Sequence, residues 1–158
     1  MERNMAASRS GGGKSTRELE NRLFSAPDFA LFLEENAGGM RTPKVCYHLS
    51  ELCRERGLKP VEVIRRAGLD RTYGHQLFSG TRRPSRDKLL QLAFGFSLTV
   101  EETQELLKIA QKSPLYPRIV RDAAVMRCLY EGCAIDELQA LLSQLGLTLL
   151  GGEDRNGV

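Results

Sequence analysis

Glycine, proline and helix-capping residues divide the chain from Lys44 onward into short segments, each with helical periodicity. The first segment spans about 44–57 and ends at Gly57, and the second has Pro60 in its first turn and ends at Gly68. No segment has the strict alternation of apolar and polar residues that is typical of a strand. The pattern therefore predicts an all-α fold.

Three further helices complete a predicted five-helix bundle. Asp70 is a good N-cap for a helix that runs to about Ser79, and a fourth helix follows Pro84. Thr99 and Glu102 have the spacing of a capping box, which opens the fifth helix. Short helices joined by brief connections are typical of a small helical bundle.

The rest of the chain is predicted to form an N-terminal helical arm, a C-terminal helix pair and two tails. Ser15 with Glu18 opens the first helix of the arm, and Pro27 suits the first turn of its second helix. Both ends of the chain are polar and rich in glycine, so they cannot bury enough apolar surface to offset the entropy of ordering. The predicted organisation is a flexible tail at 1–14, a helical arm and linker at 15–43, the bundle at 44–112, a helix pair at 113–150 with helices at about 117–131 and 135–145, and a tail at 151–158.

The net charge of +3 conceals a strongly basic middle of the chain. Residues 41–90 hold 12 Lys or Arg and 5 Asp or Glu, which gives +7, whereas 1–40 give 5 − 6 = −1 and 91–158 give 6 − 9 = −3. A locally basic segment is expected of a surface that releases counterions from a phosphate backbone. The alternative is a solvated basic face without a ligand.

The four cysteines, Cys46, Cys53, Cys128 and Cys133, form no C-x-x-C pair. Because only two histidines could join them, a zinc site is poorly supplied, and we expect neither a metal nor a cofactor. Buried thiols pack as small hydrophobic groups, so reduced, core-packed cysteines are predicted. No apolar run is long enough for a membrane span and the N-terminus lacks a secretory signal, so a cytoplasmic location is expected.

One part of the sequence repeats at an offset of 35 residues. The eight residues 100–107 align with 135–142 with four identities, and Leu115 then falls opposite Leu150. A duplicated helix pair that stacks on the bundle would explain this echo. Convergent amphipathic patterning explains it equally well, and the sequence leaves both explanations open.

The segment 57–80, GLKPVEVIRRAGLDRTYGHQLFSG, is followed by Arg-Pro-Ser at 83–85 and by apolar Leu89, Leu92 and Ala93. These residues resemble the Cro/C1-type, or xenobiotic-response-element, helix-turn-helix family, and the resemblance needs no gap. It implies a lambda-repressor-like five-helix bundle over 44–112 that binds double-stranded DNA and acts as a bacterial-type transcription regulator. Gly68 suits the tight turn between the paired helices, which Val63, Ala67, Leu69 and Leu77 would lock together.

In this family the second helix of the pair enters the major groove with its N-terminal residues near base edges. The resemblance implies DNA base contacts by Arg71, Thr72, Tyr73, His75 and Gln76. Arg71 is the strongest candidate because arginine on guanine is the commonest specific contact, with a phosphate contact as its alternative, and Gln76 could pair with adenine. Phosphate contacts are implied for five basic residues around the helix pair: Lys59, Arg82, Arg83, Arg86 and Lys88.

Two positions depart from the family pattern. Pro60 stands where the family usually has glutamine, which removes a polar side chain that often contacts DNA. Gly74 stands where a bulky apolar residue is usual, and it is expected to leave a packing hole inside the recognition helix. Tyr73 is expected either to turn inward and fill that hole or to face DNA.

Two functions remain open from the sequence. The first is a regulator that binds a two-fold DNA site as a homodimer, with the helices after residue 113 supplying dimerisation or partner contact. The second is a protein-interaction module of the same fold, such as an antitoxin or accessory subunit, whose partner binds the arm or the C-terminal helices. An enzyme is not expected, because neither His48 nor His75 has an obvious spacing to a Cys, Ser or carboxylate residue with which it would form a catalytic site.

Overall fold

A computed structural model describes residues 14–40 and 44–152, and within these ranges it contains nine α-helices and no strand. The predicted all-α class is therefore confirmed. The predicted tails lie outside the described residues except for Lys14, Gly151 and Gly152. The helices are α1 (Thr16–Ser25), α2 (Phe29–Asn36), α3 (Val45–Arg56), α4 (Pro60–Arg66), α5 (Arg71–Ser79), α6 (Arg86–Phe96), α7 (Val100–Ile109), α8 (Val120–Glu131) and α9 (Ile135–Gln144).

The chain divides into two compact units, Met1–Thr42 and Pro43–Val158. In the first unit, the Ser15 hydroxyl accepts a hydrogen bond from the Glu18 N–H and caps α1 as predicted. The second helix of this unit starts later than the sequence indicated. Asp28 is its N-cap and accepts from the Leu31 N–H at 2.8 Å, so Pro27 precedes the helix and does not lie in its first turn.

The second unit contains one continuous hydrophobic core. Leu49 of α3, Leu77 of α5 and Leu92 of α6 are fully buried in it, and so are Leu107 of α7 and Leu138 of α9. Helices on both sides of residue 112 therefore bury their apolar faces against the same interior. The C-terminal helix pair is an integral layer of this unit.

The 35-residue echo extends to the structure, where α8–α9 repeat side-chain contacts of α6–α7. The Gln104 side chain makes two hydrogen bonds with the backbone of the buried Leu115. Its amide donates to the Leu115 carbonyl at 2.9 Å, and its oxygen accepts from the Leu115 N–H at 2.8 Å. Gln139 makes the same two hydrogen bonds with the backbone of Leu150, at 2.9 Å each. Convergent amphipathic patterning would repeat apolar positions but not these side-chain hydrogen bonds, so the structure favours duplication.

Two reciprocal ion pairs join the copies. Arg86 donates to both carboxylate oxygens of Asp122, at 3.1 and 2.9 Å, and Arg121 donates to both oxygens of Asp87, at 3.0 and 2.9 Å. Arg86 also donates to the carbonyls of 113 and 114, and Arg121 donates to those of 148 and 149. All these positions correspond at the offset of 35. Because each arginine binds the other copy's aspartate, the copies are related by an approximate two-fold axis.

Candidate nucleic-acid interface

Helices α4 and α5 are joined by the turn at 67–70 and pack against each other. Gly68 has a left-handed backbone with φ of 71°, which a side chain would strain, and the Leu69 N–H then returns to the Ile64 carbonyl at 3.1 Å. Val63, Ala67 and Leu77 are buried between the helices, and Leu69 is half-buried against the core. These contacts hold the axis of α5 at a fixed angle to α4.

The start of α5 presents polar side chains to solvent. The Asp70 carboxylate caps the helix by accepting from the Tyr73 N–H at 2.9 Å. Arg71 and Thr72 therefore lie in the first turn, and both are exposed, as is His75 one turn later. Three of the five residues predicted to contact bases are thus accessible to a ligand on this helix.

The expected packing hole beside Gly74 is absent, and that prediction is wrong. The Ile64 side chain fills the space, since a Cβ at Gly74 would lie only 2.5 Å from Ile64 Cγ2. Glycine permits this close approach of α5 to α4. Tyr73 is therefore not needed as a filler.

Tyr73 is instead half-buried at the centre of a cationic cluster. The Arg82 guanidinium lies 5.3 Å from the centre of its ring, and Lys88 Nζ lies 5.5 Å from it. Arg82 Nε also donates to Gln76 Oε1 at 2.7 Å, which fixes the guanidinium beside the ring. We call Tyr73, Gln76, Arg82 and Lys88 the tyrosine cluster.

The tyrosine cluster changes what Gln76 can do. Bidentate pairing with adenine requires the glutamine carbonyl oxygen as an acceptor and its amide as a donor. That oxygen already accepts from Arg82, which occupies one of its two lone pairs, so the adenine contact suggested by the sequence has to use the other lone pair. Within the cluster, Gln76 acts as a support for Arg82.

The basic residues predicted to contact phosphate fall into two groups. Lys59, Arg82 and Arg83 are exposed and Lys88 is half-buried, so their charges can reach a ligand. Arg86 is different, because Nε, Nη1 and Nη2 all donate within the protein, to Asp122 and to two backbone carbonyls. We therefore assign Arg86 a structural role in place of the phosphate contact implied by the resemblance.

The start of α4 shows why Pro60 is tolerated there. Pro60 is the first residue of the helix, where its missing N–H costs no internal hydrogen bond. The Glu62 carboxylate turns back and accepts from the Lys59 N–H at 2.9 Å, while the Lys59 side chain remains exposed. The helix therefore begins with a satisfied backbone and an accessible ammonium group.

Asp122 is a buried acidic residue that no single sequence motif predicts. Asp122 is buried, accepts from Arg86 and also accepts from the Tyr116 N–H at 3.0 Å. One signal could have found it: the dipeptide Arg86-Asp87 recurs 35 positions later as Arg121-Asp122. The predicted echo, extended back to these residues, contains both partners of the ion pairs.

The cysteines contribute packing to this unit. Cys53 and Cys128 are buried in the core, whereas Cys46 and Cys133 are half-buried, and all four are free thiols. Burial raises the pKa of Cys53, and the nearby Glu62 carboxylate raises it further. Within 14–40 and 44–152, no group of three or more His, Cys, Asp or Glu side chains is placed to hold a metal ion.

Comparisons of the chain with protein-family models, curated proteins and solved structures found no match. In the part of the chain that the structure describes, no helix has the length and apolar character needed to cross a bilayer. The surface formed by α5 and the loop after it combines exposed polar side chains with a group of accessible cations.

Proposed function

We propose that this protein binds double-stranded DNA in a sequence-specific manner and regulates transcription. The observation that carries the proposal is the pair α4–α5, which we interpret as a helix-turn-helix, since its second helix exposes Arg71, Thr72 and His75 beside accessible basic residues. An α-helix fits the major groove, where each base pair presents a distinct pattern of donors and acceptors. The lambda-repressor-like arrangement of the bundle is part of the same proposal.

We expect these cations to contact the phosphates that flank such a helix. Lys59 precedes α4, and Arg82 and Arg83 follow α5 in the loop that leads to α6. Contacts to phosphate fix the position of a protein on the duplex, and contacts to base edges give it specificity. In the proposed complex Arg71 reads a base, while Lys59, Arg82, Arg83 and Lys88 bind the backbone.

The test is a selection from randomised duplex DNA by the purified protein, followed by sequencing of the bound molecules. We expect enrichment of one motif by the full chain and its loss in Arg71→Ala. Arg127→Ala is the matched control, since Arg127 is an exposed arginine on α8 that pairs with Glu131 at 2.6 Å. It should preserve the motif. Binding of all duplexes alike would contradict sequence specificity.

Salt dependence separates the phosphate contacts from the base contact. The logarithm of the binding constant falls with the logarithm of salt concentration by about 0.9 for each phosphate contact. Arg83→Ala should therefore reduce this slope by about 1 on the selected duplex. Arg86→Ala tests the assignment of Arg86, and any loss of binding it causes should follow loss of folding.

A second function, binding of a protein partner, is favoured by apolar residues exposed on α8. Tyr130 is 80% exposed and Val120 is 62% exposed, so both are available for contact. An antitoxin or accessory subunit would use such a surface, and so would a homodimer. Absence of binding to any duplex in the selection would favour this function.

A further inference from the structure

Six helix ends in the described part of the second unit have the same hydrogen bond. The N–H of the residue after a left-handed cap returns to the carbonyl five positions earlier, which is the Schellman arrangement. In this arrangement the side chains of the two bonded residues pack against each other. The bonded pairs, each at 2.9–3.1 Å, are Leu58 with Cys53, Leu69 with Ile64, Leu98 with Ala93, Lys112 with Leu107, Cys133 with Cys128 and Leu147 with Leu142.

Only one of these six pairs consists of two cysteines, at the end of α8. Gly132 has φ of 75°, and the Cys133 N–H donates to the Cys128 carbonyl at 2.9 Å. The corresponding pair in the first copy of the duplication is Ala93 with Leu98, 35 positions earlier, which packs in the core. In the second copy both of these positions are cysteines, so the same cap places two thiols next to each other.

We propose that Cys128 and Cys133 form a dithiol modification site that closes to an intramolecular disulfide when it meets a small-molecule disulfide oxidant. A disulfide requires Cα atoms about 4.4–6.8 Å apart and adjacent Cβ atoms. The backbone hydrogen bond of the cap keeps Cys128 and Cys133 side by side, which favours this geometry. The folded α8 end thus holds the pair ready for ring closure.

The two cysteines take different parts in the reaction. Cys133 is half-buried, and its thiolate attacks one sulfur of the oxidant and expels a small thiolate, which leaves a mixed disulfide on Cys133. Cys128 then loses its proton to solvent, attacks the Cys133 sulfur and expels the second small thiolate. Two protein thiols are oxidised to one disulfide, and the small disulfide is reduced to two thiols.

The order of attack follows from burial. Cys128 is 4% exposed, and its burial, followed by the effect of the neighbouring Cys133 thiol, raises the pKa of its thiol to about 11. A protonated, buried thiol is a poor first nucleophile. It can still resolve a mixed disulfide on its neighbour, because the cap holds the two residues side by side.

The experiment treats the folded full chain with oxidised glutathione, blocks the remaining thiols and digests the protein with trypsin. Cleavage after Arg127 leaves both cysteines in one peptide, 128–155, which should lose two hydrogens. The peptide 45–54 contains Cys46 and Cys53, seven residues apart on α3, and serves as the matched control in the same digest. This control peptide should remain reduced.

Titration of free thiols gives an independent measure of the reaction. The count should fall from four to two in the wild-type chain. Cys133→Ser should abolish the disulfide and leave 128–155 unoxidised. A lasting glutathione adduct on Cys133, an unreacted 128–155 peptide, or equal oxidation of the two peptides would each overturn the proposal.

Discussion

At the scale of single residues, the residue type alone does not predict which partner a charged side chain binds. Arg86 is a cation at the start of a helix, a position that favours anion contact in many proteins, and the sequence placed it with the phosphate-binding residues. In the fold, the Arg86 guanidinium donates to the carboxylate of Asp122, 36 positions away along the chain. Arg83, three residues earlier, is exposed and free for the role that was predicted for both.

Gly74 gives the sharpest test of packing. Alanine is usually more stable than glycine inside a helix by about 1 kcal/mol. Here we expect Gly74→Ala to destabilise the protein by about 1–3 kcal/mol, because the new Cβ would overlap Ile64, which is itself buried. Urea unfolding monitored by circular dichroism measures the change.

The control for Gly74→Ala uses the partner residue. Ile64→Ala removes all three atoms that would clash, at a cost of about 2–5 kcal/mol for the cavity it creates. In that background Gly74→Ala should be neutral or stabilising. The same destabilisation in both backgrounds would show that Ile64 is not the cause.

Asp87 gives a prediction for pH dependence. Burial alone would raise the pKa of Asp87, but hydrogen bonds from Arg121 and the Gly151 N–H outweigh burial and hold it below its ordinary value. A lowered pKa contributes stability above the pKa of the unfolded state, about 3.9, and this stability is lost as pH falls through the folded value.

The wild-type chain should therefore have a larger free energy of unfolding than Asp87→Asn at neutral pH. This difference should decrease below about pH 4. Urea unfolding across this range measures it. Asp136→Asn, which removes an exposed carboxylate at the start of α9, corrects for the loss of one negative charge. A difference that stays constant down to low pH would contradict the proposed stabilisation of the Asp87 carboxylate.

At the scale of helices and turns, most helix boundaries predicted from capping residues agree with the structure. Asp70 and Thr99 are N-caps as predicted, and the Thr99–Glu102 capping box forms with hydrogen bonds of 2.9 and 3.1 Å. These contacts span three residues, so local sequence contains both partners. The helix predicted from 117 starts instead at Val120, because the Ile119 N–H closes a turn onto the Tyr116 carbonyl.

The ion pairs between the duplicated helix pairs provide a prediction at this scale. Asp122→Ala leaves the partly buried Arg86 without its carboxylate, and we expect a loss of about 3 kcal/mol. Glu131→Ala breaks the exposed pair with Arg127 and should cost less than about 1 kcal/mol. Equal effects of the two variants in urea unfolding would show that the buried pair has no special role.

At the scale of the whole molecule, the second unit has one core to which α3 through α9 all contribute. The sequence described 44–112 and 113–150 as successive parts of the chain. In the fold, α6 and α7 bury faces against α8 and α9, and residues such as Val125 and Leu142 are fully buried at that junction.

A chain that ends at Lys112 should therefore lose cooperative unfolding. Truncation exposes apolar surface of α6 and α7 that α8 and α9 cover, and this loss exceeds the few kcal/mol by which a small domain is usually stable. Thermal melts by circular dichroism and dye binding to exposed apolar surface measure it against the full chain. A sharp melt at the same midpoint would show that 44–112 is self-sufficient.

The candidate site was predictable where its chemistry is local. The turn at Gly68, the cap at Asp70 and the exposure of Arg71 follow from a few neighbouring residues. The tyrosine cluster did not follow, because Tyr73 meets Arg82 and Lys88 only when the loop after α5 turns back and brings them to its ring. The DNA-binding role of this surface stays a prediction, with the selection experiment as its test.

The sequence by itself determined the helices, since caps, prolines and apolar periodicity act over three or four residues. Only the tertiary structure decided which polar groups neutralise one another, because Arg86 and Asp122 become neighbours through the packing of α6 beside α8. It also decided how closely α4 and α5 approach at Gly74. Such contacts depend on the relative placement of whole helices, which no short segment of the chain encodes.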